Sequence, residues 1–329
     1  MRELNLRLKL SYAKPVLSAL FFALLAPLHA QTFPAKPVTV IVPFPPGASA
    51  DTTMRLVGQK FTESTGQPVI ITTQPAGAGT AAAMTTKQSQ ADGYTLMLIN
   101  IGSHAVNPLL TALPYDPIKD FQPITNLWNF PSIMTIHAGL AAKSIADLIS
   151  LAKTRAGGLN FASQGIGSGG HIQGEMFKGR TGAPMVHVPY KGAAPAVLDL
   201  VAGRADLLFA SYASMSAQIK EGKLRMLGVA SPARLRALPD LPTLTELGYP
   251  GVDLDAWFGL AAPAGTPSTV IRRLNDEFVK AARSPDLVRQ MGEQGVEMAP
   301  NTPAEFSSLI AADTARLAKL IKDVGITAQ

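Results

Sequence analysis

Three stretches of this chain run from an apolar, strand-like segment through a glycine-rich turn into a segment with helical spacing. The turns are Pro43–Asp51 (PFPPGASAD), Gln74–Thr80 (QPAGAGT) and Ser163–His171 (SQGIGSGGH), and none of them contains Lys or Arg. A strand that feeds a helix through a short turn is the repeating unit of α/β folds. The pattern therefore predicts an α/β protein whose sheets are mostly parallel.

Two series of alternating strands and helices divide the chain. The first predicts strands at Val38–Pro43, Val69–Thr72 and Thr95–Ile99, and a second series fills about 132–230. A helical tail follows the strand-like Trp257–Ala261, and we expect this tail to pack back on the first series. The predicted organisation is a signal peptide at 1–30, a first domain in two parts at 31–132 and 255–329, and a second domain at 133–254.

The N-terminus has the pattern of a cleavable secretion signal. A basic leader precedes the short apolar run Val16–Leu28, and Ala30 offers a small residue for cleavage. The run is shorter than the roughly 20 residues that a membrane span needs. We therefore predict a periplasmic protein that begins near Gln31.

Composition excludes several classes of site. The chain has no Cys, so disulfides, thiolate metal sites and Cys nucleophiles are excluded. The formal net charge is +6, but the leader carries four basic residues and Glu3, so its removal leaves +3. No basic stripe with interleaved aromatic residues is present, and we predict no nucleic-acid partner.

The glycine turns suit an anion. Each places backbone N–H groups and the positive end of a helix dipole at one point. The third turn has the GxGxxG spacing of a dinucleotide site, with Gly165, Gly167 and Gly170. The acidic residue expected about 20 positions further on is missing, since Val186–Pro189 stands there. We therefore predict an anion-binding cleft without a cofactor.

The evidence for catalysis is weak. Ser168 and His171 lie three residues apart, which leaves a secreted hydrolase as a rival interpretation. Ser168 is not in a GxSxG elbow, because Ile166 occupies the first glycine position. The five His residues show no metal-ligand spacing. We predict that the protein is not an enzyme and holds no metal.

Eight short motifs together resemble one known family. They are Pro43–Asp51, Asp92–Leu96 (DGYTL), Leu113–Phe121 (LPYDPIKDF), Ser163–Glu175, His187–Ala194 (HVPYKGAA), Gly203–Asp206 (GRAD), Pro239–Gly248 and Trp257–Pro267. Over nearly all of the chain after the leader, they resemble the Bug family of periplasmic receptors for tripartite tricarboxylate transporters. The resemblance implies the two-lobed periplasmic binding protein fold, with each lobe a sheet flanked by helices.

The resemblance also implies a site. The first two turns would hold a ligand carboxylate through backbone N–H groups and bridging waters, while the third turn and Asp206 contact the rest of the ligand. The candidate ligand-binding residues are Phe44, Pro46, Gly47, Ala48, Ser49, Asp51, Ala76, Gly77, Ala78, Gly79, Ser103, Ser163, Gly167, Ser168, Gly169, His171, Tyr190 and Asp206.

The chain departs from the family pattern in its first two turns. Ala48 stands where a second glycine commonly follows Gly47. In the second turn, Thr73, Ala76, Gly77 and Ala78 replace the usual Asn, Gly, Ala and Gly. We expect the added methyl groups either to narrow the pocket or to shift the first carboxylate, so the identity of the ligand does not carry over.

The predicted function is a periplasmic solute-binding protein that traps a mono- or dicarboxylate metabolite for a tripartite tricarboxylate-type transporter. We expect a monomer that meets the membrane permease subunits. A sensory receptor that passes the same ligand to a signalling partner is the first rival, and the hydrolase is the second. The sequence does not separate transport from signalling.

Overall fold

The computed structural model describes residues 33–324, except the side chains of Gly77, Ala78 and Val324. The predicted signal peptide lies outside the described residues. Eleven strands within this range form two sheets. No helix among the described residues is long and apolar enough to span a bilayer.

The first sheet has six strands in the order β11-β4-β10-β3-β1-β2. Its strands are β1 (Val38–Val42), β2 (Val69–Thr73), β3 (Thr95–Asn100), β4 (Phe121–Phe130), β10 (Ala256–Pro263) and β11 (Glu297–Met298). The helices of these parts of the chain are α1 (Ser49–Thr65), α2 (Thr80–Lys87), α3 (Asn107–Leu110), α8 (Ser268–Ala282), α9 (Pro285–Glu293) and α10 (Pro303–Val324). A short 3-10 turn at Ala76–Gly79 precedes α2, and a π-helical turn at Gly102–Val106 precedes α3.

The second sheet has five strands in the order β7-β6-β8-β5-β9. They are β5 (Ser132–His137), β6 (Leu159–Ser163), β7 (Met185–Pro189), β8 (Leu207–Ser211) and β9 (Leu224–Val229). Four helices accompany them: α4 (Ile145–Thr154), α5 (Gly169–Thr181), α6 (Ala193–Val201) and α7 (Tyr212–Lys220).

The two-lobed α/β fold is confirmed, but the prediction of mostly parallel sheets is wrong. Only the pairs β1–β2, β1–β3, β6–β7 and β6–β8 are parallel, and the other five pairs are antiparallel. The antiparallel pairs all involve strands at the crossings between the sheets or in the tail. Such strands lack the helical crossover that parallel neighbours need. In particular, β4 runs into β5 through Pro131 alone.

The sequence analysis missed strands β4 and β11 and helices α3 and α7. Strand β4 contains Pro123 and two Asn residues, and its pairing with β10 has two register shifts, so its apolar alternation is broken. Helix α7 has three Ser or Tyr residues in its first five positions. Such residues weaken a helical signal because Ser favours caps and Tyr loses side-chain freedom in a helix.

The tail helices pack on the first sheet and on α1. Phe278 of α8 stacks on Phe61 of α1 with ring centroids 4.4 Å apart. The Trp257 indole Nε1–H of β10 donates to Asp313 Oδ2 of α10 at 2.9 Å. These contacts join α8 to α1 and α10 to the first sheet. The exact domain boundaries stay a prediction.

Strand β10 packs so closely in the middle of its sheet that one position accepts only glycine. A Cβ on Gly259 would lie 2.4 Å from the Thr125 carbonyl oxygen and 2.3 Å from Phe306 Cζ. We expect Gly259→Ala to reduce the free energy of unfolding by about 1–3 kcal/mol, because backbone and a buried ring must both shift. Thermal unfolding followed by circular dichroism measures the change.

Gly179→Ala is the matched control. Gly179 is exposed in helix α5, and no heavy atom lies within 4 Å of its added Cβ. Alanine there should raise stability by about 0.5–1 kcal/mol, because glycine loses more chain entropy in a helix. An unchanged melting temperature for Gly259→Ala would show that β10 tolerates a side chain at this position.

Candidate ligand-binding site

The carboxyl ends of three neighbouring strands meet at one edge of the second sheet. Strands β6, β7 and β8 are parallel, and they lead into α5, α6 and α7. In the first sheet, β1 leads into α1 through the first glycine turn. Ligands of α/β proteins commonly bind at such carboxyl edges, where the following helices begin.

A cavity of about 220 Å³ lies where these helices begin. The residues from the starts of the four helices that line it are Ala48, Ser49 and Ala50 (α1), Gly169 and Gly170 (α5), Ala193 (α6), and Ser211 and Ser214 (α7). The strand ends and crossings contribute Phe44, Phe130, Ser132, Gln164, Ala210, Ala256 and Phe258. Both sheets therefore supply walls of the same cavity.

Three of these helices begin without a side-chain cap. The residues before α1, α6 and α7 are Ala48, Gly192 and Ser211, and none makes a capping side-chain hydrogen bond. The first N–H groups of a helix have no acceptor within the helix, and they carry its positive partial charge. Their convergence provides groups of the kind that bind an anion.

The lining contains no charged side chain. Its polar groups are the Gln164 amide and the hydroxyls of Ser49, Ser132, Ser211 and Ser214. An anion in this cavity would be held by neutral donors and helix dipoles. Among the described residues, no group of three or more His, Cys, Asp or Glu side chains could hold a metal ion.

The first turn is held by Asp51 from beneath. Gly47 has φ +80° and donates its N–H to Asp51 Oδ2 at 2.9 Å, and Arg55 Nε donates to the same oxygen. Burial acts to raise the pKa of the Asp51 carboxyl, but the hydrogen bonds from Arg55 and Gly47 outweigh it and lower that pKa. Asp51 is 2% exposed and is not in the lining. Its carboxylate shapes the turn, and its contact with a ligand stays a prediction.

The third turn rests on a stack of rings. His171 Nδ1 accepts the Gly167 N–H at 3.1 Å, and the His171 and His187 rings are nearly parallel with centroids 3.9 Å apart. Phe161 stacks on His187 at 4.9 Å, and His187 Nε2 lies 2.7 Å from Ser163 Oγ. Burial lowers the pKa of His171, and burial with the nearby His171 lowers the pKa of His187 to about 4. Both rings are therefore neutral at neutral pH.

Ser168 acts as a helix cap. Its hydroxyl donates to the Gly165 carbonyl at 2.6 Å and accepts the His171 backbone N–H at 3.4 Å. The acceptor nitrogen of the His171 ring is taken by Gly167 instead. This arrangement is a turn followed by a capped helix, and it gives no support to the hydrolase interpretation.

Asp206 lies at the wrong end of its strand to reach the cavity. It precedes β8, whose far end at Ser211 lines the cavity, about 16 Å away at the usual rise per residue. Its carboxylate accepts hydrogen bonds from Arg155 Nη1 and from the Asn160 N–H, each at 2.7 Å. The predicted contact with a ligand substituent is therefore corrected to a structural role.

Tyr190 is likewise engaged within its own lobe. Its hydroxyl donates to Asp199 Oδ2 of α6 at 2.7 Å, and its ring packs with a cluster of buried residues behind the second sheet. It is not among the residues that line the cavity.

The second turn lies beside the first turn. Its residues Ala76, Gly79 and Thr80 are not in the cavity lining, and the predicted contacts of Gly77 and Ala78 fall on side chains that the structure does not describe. A Cβ on Gly79 would be 3.4 Å from Ser103 Cβ and 3.5 Å from Pro43 Cβ. Ser103 is buried, and its Oγ bonds the Asn100 carbonyl and lies 2.9 Å from His104 Nδ1. Of the predicted residues, the structure brings Phe44, Ala48, Ser49 and Gly169 into the lining, whereas Ser163, Gly167, Ser168 and His171 belong to the same strand end, turn and helix start as Gly169 but are not in the lining.

Sequence reasoning missed the lining residues on the crossing strands and those at the start of α7. Phe130, Phe258 and Ser132 come from the crossing strands, which carry no turn motif. Ser211 ends β8 and Ser214 lies three residues later, with no glycine between them, so a search for glycine-rich turns passes over both. The direct succession of an apolar strand, Ser211 and a helix was the signal that could have found them.

A family model described as tripartite tricarboxylate transporter family receptor matches residues 53–326. The chain is 34% identical to the protein BugT of Bordetella pertussis over 302 residues, which cover 91% of this chain and 93% of BugT.

Solved structures are similar over the same length. A protein of R. palustris with adipate is 33% identical, with a TM-score of 0.79, covering 90% of this chain and 99% of that one. MatC from Rhodopseudomonas palustris with bound malate is 29% identical, with a TM-score of 0.73, covering 88% and 100%.

The stacked His pair makes stability depend on pH. The folded pKa of His187 is about 4, below the ordinary value of about 6.5, so the unfolded chain takes up the proton first as the pH falls. The free energy of unfolding is then unaffected by His187 above about pH 6.5, and it falls progressively as the pH is lowered towards 4. We expect the melting temperature to fall between about pH 7 and pH 4.5.

His187→Phe should flatten this dependence, because it keeps a ring against His171 and Phe161 but cannot be protonated. His137→Gln, outside the stack, is the control and should keep the slope of the unaltered protein. A slope in His187→Phe as steep as in the control would show that other groups control the acid response.

Proposed function

We propose that this chain is a solute-binding protein that traps a small carboxylate between its lobes. The chain belongs to the tripartite tricarboxylate transporter receptor family. The observation that carries this proposal is the convergence of the starts of α1, α5, α6 and α7 on one uncharged cavity. Adipate and malate in the two similar structures support a carboxylate as the ligand class.

Neutral donors suit a receptor that must both bind and release its ligand. Backbone N–H groups and serine hydroxyls satisfy carboxylate oxygens without the desolvation cost of a buried Lys or Arg. Their positions are fixed by the elements behind them, such as Asp51 under the first turn and the His171–His187 stack under the third. Binding then spends little free energy on ordering the site.

Closure of the two lobes would complete the site. A Cβ on Gly167 of the third turn would lie 3.1 Å from Leu110 Cδ1, which belongs to α3 beside the first sheet. The crossing strands β4–β5 and β10 also contribute Phe130, Ser132 and Ala256 to the cavity. A ligand that touches both walls stabilises the closed arrangement, and the crossings are the place for a hinge.

The biological setting follows the same proposal. The N-terminal signal would export the protein to the periplasm, and the closed receptor would deliver its ligand, as a monomer, to membrane permease subunits. Light scattering behind size-exclusion chromatography measures the oligomeric state, and cell fractionation measures the location. A stable dimer or retention in the cytoplasm would contradict these parts of the proposal.

The direct test is identification of the ligand. Mass spectrometry of small molecules released from the purified protein would be followed by thermal-shift titration with mono- and dicarboxylates. A ligand at 100 times its Kd should stabilise the folded state by about 2.7 kcal/mol. The corresponding amides are the controls, because they keep the shape and lack the charge. Equal shifts with acids and amides, or no shift with any acid, would contradict the proposal.

A pair of substitutions tests the place of binding. Ala193 lines the cavity at the first position of α6, whereas the adjacent Ala194 is exposed and is not in the lining. We expect Ala193→Asp to weaken carboxylate binding at least about tenfold, because like charges repel at short range. Isothermal titration calorimetry with the identified carboxylate measures the change.

Ala194→Asp is the matched control and should change affinity by less than about threefold. Both substitutions place an acid in the first turn of a helix, which favours folding by about 0.3–1 kcal/mol. A loss of affinity in Ala193→Asp would therefore not come from unfolding. Equal affinities for the two variants would show that the carboxylate binds elsewhere.

A further inference from the structure

The cavity has two chemically different walls. The starts of the four helices and the serine hydroxyls form a polar wall, and the rings of Phe44, Phe130 and Phe258 form an apolar wall. The centroid of Phe258 is 5.7 Å from that of Phe44 and 5.2 Å from that of Phe130, which stands nearly perpendicular at 85°. Such spacings are those of interacting aromatic rings.

The apolar wall is fixed from behind and open in front. Trp128 is fully buried and stacks on Phe258, with the ring planes 9° apart and the centroids 5.6 Å apart. The three Phe rings are each only partly buried, and all three line the cavity. Apolar rings gathered in a cleft are typical of a site that buries an apolar part of a ligand.

The lack of charged side chains in the lining limits how many carboxylates the cavity can hold. No cationic side chain lines the cavity, so only the polar wall can hold an anionic group. The faces of aromatic rings carry negative partial charge, and they disfavour a second carboxylate placed against them. The group opposite the first carboxylate is therefore uncharged.

The volume of the cavity indicates the size of ligand that it can hold. A dry cavity of about 150 Å³ is enough for one benzene molecule. The cavity here measures about 220 Å³ and is partly open to solvent, so one ring with a carboxylate fits in it. We infer that the ligand is a compact aromatic monocarboxylate, with its ring against Phe44, Phe130 and Phe258 and its carboxylate on the polar wall. This inference rests on the proposed function and narrows its ligand class.

The experiment compares matched acids on the purified protein by isothermal titration calorimetry. Benzoate is the probe, cyclohexanecarboxylate has a saturated ring of similar size, and benzamide lacks the charge. Malate and adipate represent aliphatic dicarboxylates. We expect benzoate to bind roughly two- to tenfold tighter than cyclohexanecarboxylate, because ring–ring contacts add to the buried area. Benzamide and malate should bind at least about tenfold more weakly than benzoate.

Two variants test whether the Phe rings cause the preference for benzoate over cyclohexanecarboxylate. Phe258→Leu keeps an apolar surface and removes the central ring, so it should make the benzoate and cyclohexanecarboxylate affinities equal. Phe130→Leu provides the same test from the neighbouring ring if Phe258→Leu fails to fold. Tyr249→Leu, a partly buried aromatic position outside the lining, is the control and should keep the preference of the unaltered protein.

The outcomes separate the two proposals. Tighter binding of malate or adipate than of benzoate would overturn the aromatic ligand while leaving a carboxylate receptor intact. A preference for benzoate that survives both Phe variants would also overturn it, because the ring contacts would not be its cause. Absence of binding by every acid would overturn the proposed function together with this inference.

Discussion

The first N–H groups of a helix find no acceptor within that helix, and this constraint organises the site. Four helices, α1, α5, α6 and α7, begin at the same cavity, and three of them have no side-chain cap. The rest of the structure places these ends together: parallel strands align three of them along one sheet edge, and β1 supplies the fourth from the other sheet. The anionic ligand that we propose would satisfy all of them at once.

Charged and titratable side chains support this arrangement without entering the cavity. Asp51 holds the first turn through Gly47, and the neutral rings of His171 and His187 support the third turn. Asp206, paired with Arg155, fixes the opposite end of β8. Keeping ionised groups behind the turns leaves the lining neutral. In the proposed function, the affinity for an anion would depend on the geometry of the N–H groups and hydroxyls, and the Phe rings would select the uncharged part of the ligand.

Much of the fold was predictable from local patterns. Short apolar runs identified nine of the eleven described strands, and glycine turns followed three of them, because burial in a sheet and the start of a helix each leave a mark in a few consecutive residues. Strand β4 left no such mark, since Pro123 and two register shifts interrupt its alternation. Antiparallel pairing at the crossings was also not predictable, because it depends on where the chain returns from the other sheet.

The sequence by itself determined the α/β class, the two strand–turn–helix series, the family resemblance and the use of glycine turns such as Pro43–Asp51 and Ser163–His171. Only the tertiary structure decided which groups share the cavity. Phe44, Phe130 and Phe258 are up to 214 positions apart and meet because crossing strands β4 and β10 pair beside β1 and β3. The motif that contains Asp206 predicted a contact with a ligand, but Asp206 lies at the end of β8 that is far from the cavity. A motif records which residues are adjacent in the chain, whereas a site depends on the register and direction of strands that are distant in it.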